Sequence, residues 1–203
     1  SITPAISAST LVVVAGGGNN ARAILNASAD ILADGGDPTA FIATQANQFA
    51  SDISGIVDDL KEKGAQHIIV WNTPNIGLVP AVLQNGAAAS FLGTSIASYM
   101  NGALAAQLAS VTGVQTFDLF GLIPRAAASG TFTNLADACG NTALACNSDL
   151  GAALFYDGIH PTTAAHAFVA NEMRVLAAVP EPETWLMLLA GLGLMGARVR
   201  RRH

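Results

Sequence analysis

Charge is scarce in this 203-residue chain: 11% of its residues are charged, against 51% that are apolar. That balance excludes general disorder, which needs low hydrophobicity and high net charge. Basic residues are scarcer still in residues 1–179, where Arg22, Lys61, Lys63, Arg125 and Arg174 face twelve acids, a net −7. A nucleic-acid binder needs a basic patch, and this stretch has none. No fixed period recurs, which excludes a repeat array. Only two cysteines occur, Cys139 and Cys146, and six residues between them suit neither a Cys-x-x-Cys redox pair nor a zinc site. No cluster of His, Cys and carboxylates points to a metal, and no Gly-Lys-Ser/Thr follows a glycine run, so a phosphate-binding loop is excluded. No metal and no cofactor are expected.

What basic charge there is gathers at the C-terminus. Val179-Pro180-Glu181-Pro182-Glu183 precedes a charge-free run from Thr184 to Ala197, and Arg198, Arg200, Arg201 and Arg202 follow. As a helix this run spans about 21 Å, short of the ~30 Å hydrocarbon core, with Arg198 able to snorkel and Trp185 suited to the opposite interface. A buried C-terminal helix is the competing reading, but four arginines end a core helix poorly. The positive-inside rule puts the arginines in the cytoplasm and residues 1–179 outside. The Pro180-Glu181-Pro182 triplet, apolar run and Arg-rich end resemble the PEP-CTERM sorting signal of Gram-negative bacteria. That resemblance implies export, transient inner-membrane anchoring by the C-terminal helix, cleavage by an exosortase and a final place at the cell surface or outside it. In an exported chain Cys139 and Cys146 are expected to form a disulfide. The chain opens on Ser1 with no basic and apolar leader, so further sequence is expected upstream.

The body alternates strand and helix patterns. Leu11–Ala15 and Ile68–Trp71 read as buried parallel strands, and Val114–Asp118 as a third. Helices are predicted over Phe41–Lys63, with Phe49, Ile53, Ile56, Val57 and Leu60 inward, over Ala88–Ser110, with Phe91, Ile96, Leu104 and Leu108 inward, and over Thr162–Ala178. Residues 121–156 read as a loop-rich insert holding both cysteines. This alternation predicts an α/β architecture with a parallel sheet, whose sites lie at the carboxyl ends of the strands. Those ends are Gly16–Asn20, Asn72–Pro74 and the vicinity of Asp118, and the loop Asp157–Pro161 can reach the same rim.

Two stretches on that rim can carry chemistry. In Asp157-Gly158-Ile159-His160-Pro161 a carboxylate three residues from an imidazole can fix its tautomer and leave the other ring nitrogen as a base. The bland alternative is a polar turn with a solvated histidine. In Gly17-Gly18-Asn19-Asn20, Asn19 can donate to an oxyanion and Gly17 can admit a close substrate. The alternatives there are a turn that needs glycine for positive φ, or a dinucleotide fingerprint at Gly16-x-Gly18-x-x-Ala21. The fingerprint lacks its acid at the next strand end, since Asp34 and Asp37 lie in a Gly-rich turn.

Taken in order, Gly17-x-Asn19-Asn20 and Asp157-x-x-His160-Pro161 resemble the third and fifth blocks of the GDSL family of SGNH hydrolases, with Asn20 where the third block ends in Asp. Val70-Trp71-Asn72-Thr73-Pro74-Asn75-Ile76-Gly77-Leu78-Val79-Pro80 resembles the strand and loop of autotransporter-type members. The resemblance implies a flavodoxin-like three-layer αβα fold, which here lacks its first two strands, over residues 1–178, followed by a sorting segment over 179–203. It implies an esterase or lipase with a Ser–His–Asp mechanism: His160 the base, Asp157 its orienting carboxylate, Asn19 and Gly17 at the oxyanion, and an ester as substrate. The family's Gly-Asp-Ser is absent. Its serine is therefore expected upstream, on a strand beside Leu11–Ala15, and the chain as written is expected not to turn over esters. A scaffold without activity, serving in the envelope or matrix, is the alternative, and Asn20 favours it.

Overall fold

The computed structural model describes residues 5–141, 146–148 and 151–177. Three strands, β1 (Leu11–Val14), β2 (His67–Trp71) and β3 (Val114–Phe117), form a parallel sheet in the order β1-β2-β3. Their β-branched and aromatic residues suit a sheet covered by helices. The register pairs Val13 with Ile69 and Trp71 with Phe117, so odd-numbered residues of β1 and β2 share one face.

Helix α1 (Gly18–Ala33) follows β1, and α2 (Thr39–Glu62) follows α1. The Asp37 carboxylate accepts from the Thr39 backbone and hydroxyl at 2.9 and 2.6 Å, which starts α2. Gly64, at φ +100°, ends it: the Gly64 N–H returns to the Lys61 carbonyl and the Ala65 N–H to the Leu60 carbonyl. After β2 come the short α3 (Pro80–Leu83) and the long α4 (Ala87–Leu108). Phe49, Ala50 and Val57 of α2 and Ile96, Met100 and Leu104 of α4 bury themselves with Ile68 and Val70 on the inner face of the sheet. After β3 come α5 (Leu122–Ala128), β4 (Phe132–Ala138), β5 (Asn147–Ser148), β6 (Gly151–Phe155) and α6 (Thr163–Ala177). Val169 of α6 packs on Ile69 and Phe117, covering part of the outer face. The sheet thus has helices on both faces.

Two features differ from the sequence reading of the body. The range 121–156, expected to be loop-rich, holds among its described residues α5 and a second sheet, in which β4 runs parallel to β6 and β5 antiparallel to it. Phe132-Thr-Asn-Leu-Ala-Asp-Ala and Gly151-Ala-Ala-Leu-Phe are poor in β-branched residues, so strand propensity gave little signal. Two inward assignments also fail, since Phe91 is 76% and Ile56 45% exposed.

The strand β1 is the third correction. It was expected to be buried, yet Leu11 and Val13 are 44% and 42% exposed, while Val12 and Val14 pack on the core. Among the described residues β1 lies at the sheet edge, and none of its residues belongs to the core cluster that α6 makes on the outer face. No described helix is long and apolar enough to cross a membrane. The expected C-terminal helix and Pro180, Glu181 and Pro182 lie outside the described residues.

Candidate active site

The loop 157–161 is a tight return after β6. The Tyr156 N–H donates to the His160 carbonyl at 2.9 Å, and Phe155 bridges Pro161. Within it one oxygen of Asp157 accepts from the backbone N–H groups of Ile159 and His160, at 2.8 and 2.6 Å. The other lies 2.7 Å from His160 Nδ1. These bonds favour the ionised carboxylate: the His160 contact first, then the Ile159 N–H, hold Asp157 down at about 2. The carboxylate is thus locked by its own loop and aimed at one ring nitrogen. Nε2 of His160 is left for other partners, and 69% of the side chain is exposed.

His160 borders a cleft of about 1290 Å³ that also takes in Gly16–Asn20 at the end of β1, Pro74 after β2 and Leu119 after β3. The loop and the strand ends therefore share one rim. Asn19 and Asn20 are exposed in the first turn of α1. Gly17 is the N-cap of that helix at φ +100°, where L side chains are strained. A Cβ on it would stand 2.6 Å from Thr73 Oγ1 and 3.0 Å from a Phe49 ring carbon. Glycine is required here by backbone and packing, whichever chemistry the cleft performs.

Amides hold the segment after β2, which lines the cleft at Pro74 and Asn75. Asn101, from the middle of α4, accepts from the Thr73 N–H at 2.7 Å and donates to the Thr73 carbonyl at 2.9 Å. Asn75 Oδ1 accepts from the Gly77 N–H and the Thr94 hydroxyl. Asn72 Oδ1 accepts from the N–H groups of Leu119 and Phe120, and its amide donates to Asp118. Asp118 is tied in turn to Arg125, which also grips Glu172 of α6. Burial pushes the Asp118 carboxyl up, but bonds from Asn72 and Gly121 and the Arg125 charge outweigh it and leave its pKa below the ordinary range. Asn101, Arg125 and Glu172 were not singled out from the sequence. A polar Asn in the Ala-rich stretch 88–110 was the available signal for the first.

Cys139 and Cys146 are joined as a disulfide. The Gly140 N–H donates to the Tyr156 carbonyl at 2.7 Å, which ties the bridged segment to the residue before Asp157. Among the described residues no group of His, Cys and carboxylates is placed to hold a metal. His166 lines the cleft from α6, whereas His67 opens β2 away from it.

Comparison with known proteins agrees with the two sequence blocks and the tail. Residues 178–202 match the PEP-CTERM protein-sorting motif, which marks an exported protein processed by an exosortase-type enzyme. No curated protein matches the chain. Residues 4–173 match the model of the GDSL-like lipase/acylhydrolase family, and the chain belongs to that family.

Proposed function

We propose that this is an exported ester hydrolase in which Asp157 and His160 are the carboxylate and base of a Ser–His–Asp relay. The observation that carries the reading is the 2.7 Å contact between His160 Nδ1 and a carboxylate locked by two backbone N–H groups, on the rim of a large cleft. A serine Oγ attacks the acyl carbonyl and passes its proton to His160 Nε2, which returns it to the leaving alcohol. Water then repeats the sequence on the acyl-enzyme. Asn19, with backbone near Gly17, faces the developing oxyanion. The chain reads as a flavodoxin-like SGNH domain over residues 1–178 and a sorting segment over 179–203, whose apolar run anchors it in the inner membrane before cleavage.

The serine is assigned to a strand upstream of Ser1 that pairs with the open edge of β1. A strand running parallel to β1 has its carboxyl end at the same rim as Gly16–Asn19, and a helix after it would cover Leu11 and Val13. The test is activity with and without the natural upstream residues, read as p-nitrophenyl butyrate hydrolysis and fluorophosphonate labelling. The longer chain is expected to label and hydrolyse, and His160→Ala to lower kcat by about 10⁴-fold or more. The 203-residue chain alone is expected to do neither. Hydrolysis by the 203-residue chain that His160→Ala abolishes would place the nucleophile inside it. A longer chain that stays inert would favour the scaffold without activity, which Asn20 supports.

A further inference from the structure

The cleft is larger than a catalytic pair needs, and its shape and charge are uneven. Small-ligand pockets run to roughly 300–1,000 Å³; this one is about 1290 Å³. One wall is α1, where Asn19, Arg22, Asn26 and Ala29 recur at helical spacing and so lie on one face, with Leu32 a turn beyond. From Asn19 to Leu32 that wall is about 20 Å long at 1.5 Å per residue. The facing wall comes from the start of α4, through Ala89, Phe91 and Leu92. Toward Leu32 and Phe91 the lining is mainly apolar, with Asn26 and Asn85 its polar members, and Phe91 and Leu32 are large and exposed, at 76% and 49%. Exposed apolar surface along a groove marks a binding surface.

Charge adds a second and independent observation. The chain has fourteen acids, yet among the described residues no Asp or Glu lines the cleft, the Asp157 carboxylate standing behind His160 at its rim. Arg22 does line it, one turn along α1 from Asn19, and it makes no ion pair among the described residues. A guanidinium with no ion pair among the described residues, in a cleft whose described lining carries no acid, is a local positive site that favours anions and disfavours cations.

We propose that this groove binds a long-chain amphiphile, with its alkyl or acyl chain laid between α1 and α4 and an acidic group, carboxylate or phosphate, paired with Arg22. The inference deepens the hydrolase reading by naming the substrate as a long-chain ester that bears an acidic group. It is tested by binding, so a chain that hydrolyses nothing still answers it.

The experiment is titration calorimetry of the full 203-residue chain at low ionic strength, with decanoate, decyl phosphate, decanol and decyltrimethylammonium as probes. Both anions are expected to bind about fivefold more tightly than decanol, as an exposed ion pair allows, and the cation more weakly than decanol. The preference shrinks in 0.5 M salt, and whichever anion binds more tightly identifies the group Arg22 prefers. Arg22→Gln is expected to erase the preference and leave decanol binding intact. Ala89→Trp, which fills the groove, is expected to weaken all the probes at least tenfold. Phe91→Ala, at an exposed position that does not threaten folding, is expected to weaken them severalfold. Equal affinity for decanoate, decyl phosphate and decanol, a preference that survives Arg22→Gln, or no binding to the folded chain would overturn the proposal.

Discussion

Val13 and Ile69 are partners in the sheet register and point to the same side, yet one is 42% exposed and the other 2%. The difference is cover. Val169 of α6 lies on Ile69 and Phe117, whereas Val13 belongs to neither core cluster. On the opposite face the cover reaches further, because α2 and α4 enclose Ile68 and Val70, and the half-buried Val12 and Val14 pack beside them. Strand sequence alone does not distinguish these faces: Leu11-Val12-Val13-Val14 is apolar throughout. It describes a strand built to be covered on both sides, and the structure shows one side covered.

The sharpest way to press the comparison is to cut equivalent side chains from the two partners. Ile69→Ala leaves a cavity beneath α6 and is expected to cost about 2–5 kcal/mol in urea unfolding. A loss below about 1 kcal/mol would mean that α6 does not seal the outer face. Next in size is Arg125→Met, which removes the tie from Asp118 to Glu172 and loosens the α6 cover. It is expected to cost about 1 kcal/mol, because these groups are partly exposed, and to raise amide exchange in α6 more than in α4. Uniform exchange in both helices would count against the clamp.

Smaller again is Asp157→Asn. The Asp157 carboxyl sits at about 2 in the folded chain against an ordinary 3.8. Its folded pKa is depressed, so its contribution is present in full above the ordinary value and is lost as pH falls through about 2. Because the pair is exposed, that contribution is under about 1 kcal/mol. Wild type and Asp157→Asn should therefore differ at pH 6 and converge near pH 2; an unchanged gap at both would break the assignment. Smallest of all is Val13→Thr on the bare face, expected to stay within about 0.5 kcal/mol. A large loss there would show that Val13 is covered after all.

How much of this could be read from the sequence varies by element. β2, β3, α2, α4 and α6 fall within about two residues of their predicted bounds, because apolar periodicity and glycine stops agree there. The Asp157–His160 contact was legible because three residues in one turn set it. The second sheet was not, since its strands are poor in β-branched residues. Phe91 was misplaced because α4 has alanine on every side, which leaves the buried stripe of Ile96, Met100, Leu104 and Leu108 poorly marked against its neighbours. Its first turn serves the cleft and the rest serves the core, a division that only the tertiary packing makes. Arg22 carried no local signal: its meaning comes from acids that are absent around it, on elements distant in sequence.

The bridge between Cys139 and Cys146 bears on when the site becomes rigid. Through Gly140 it braces the Tyr156 carbonyl, one residue ahead of Asp157. Thiols stay reduced in the cytosol and pair in an oxidising compartment. Before translocation the loop that aims the imidazole is held by its own turn and by the Ala81 N–H on the Gly158 carbonyl. After translocation it is anchored to a covalent ring. The bridge therefore adds its brace to this loop only once the chain has left the reducing compartment.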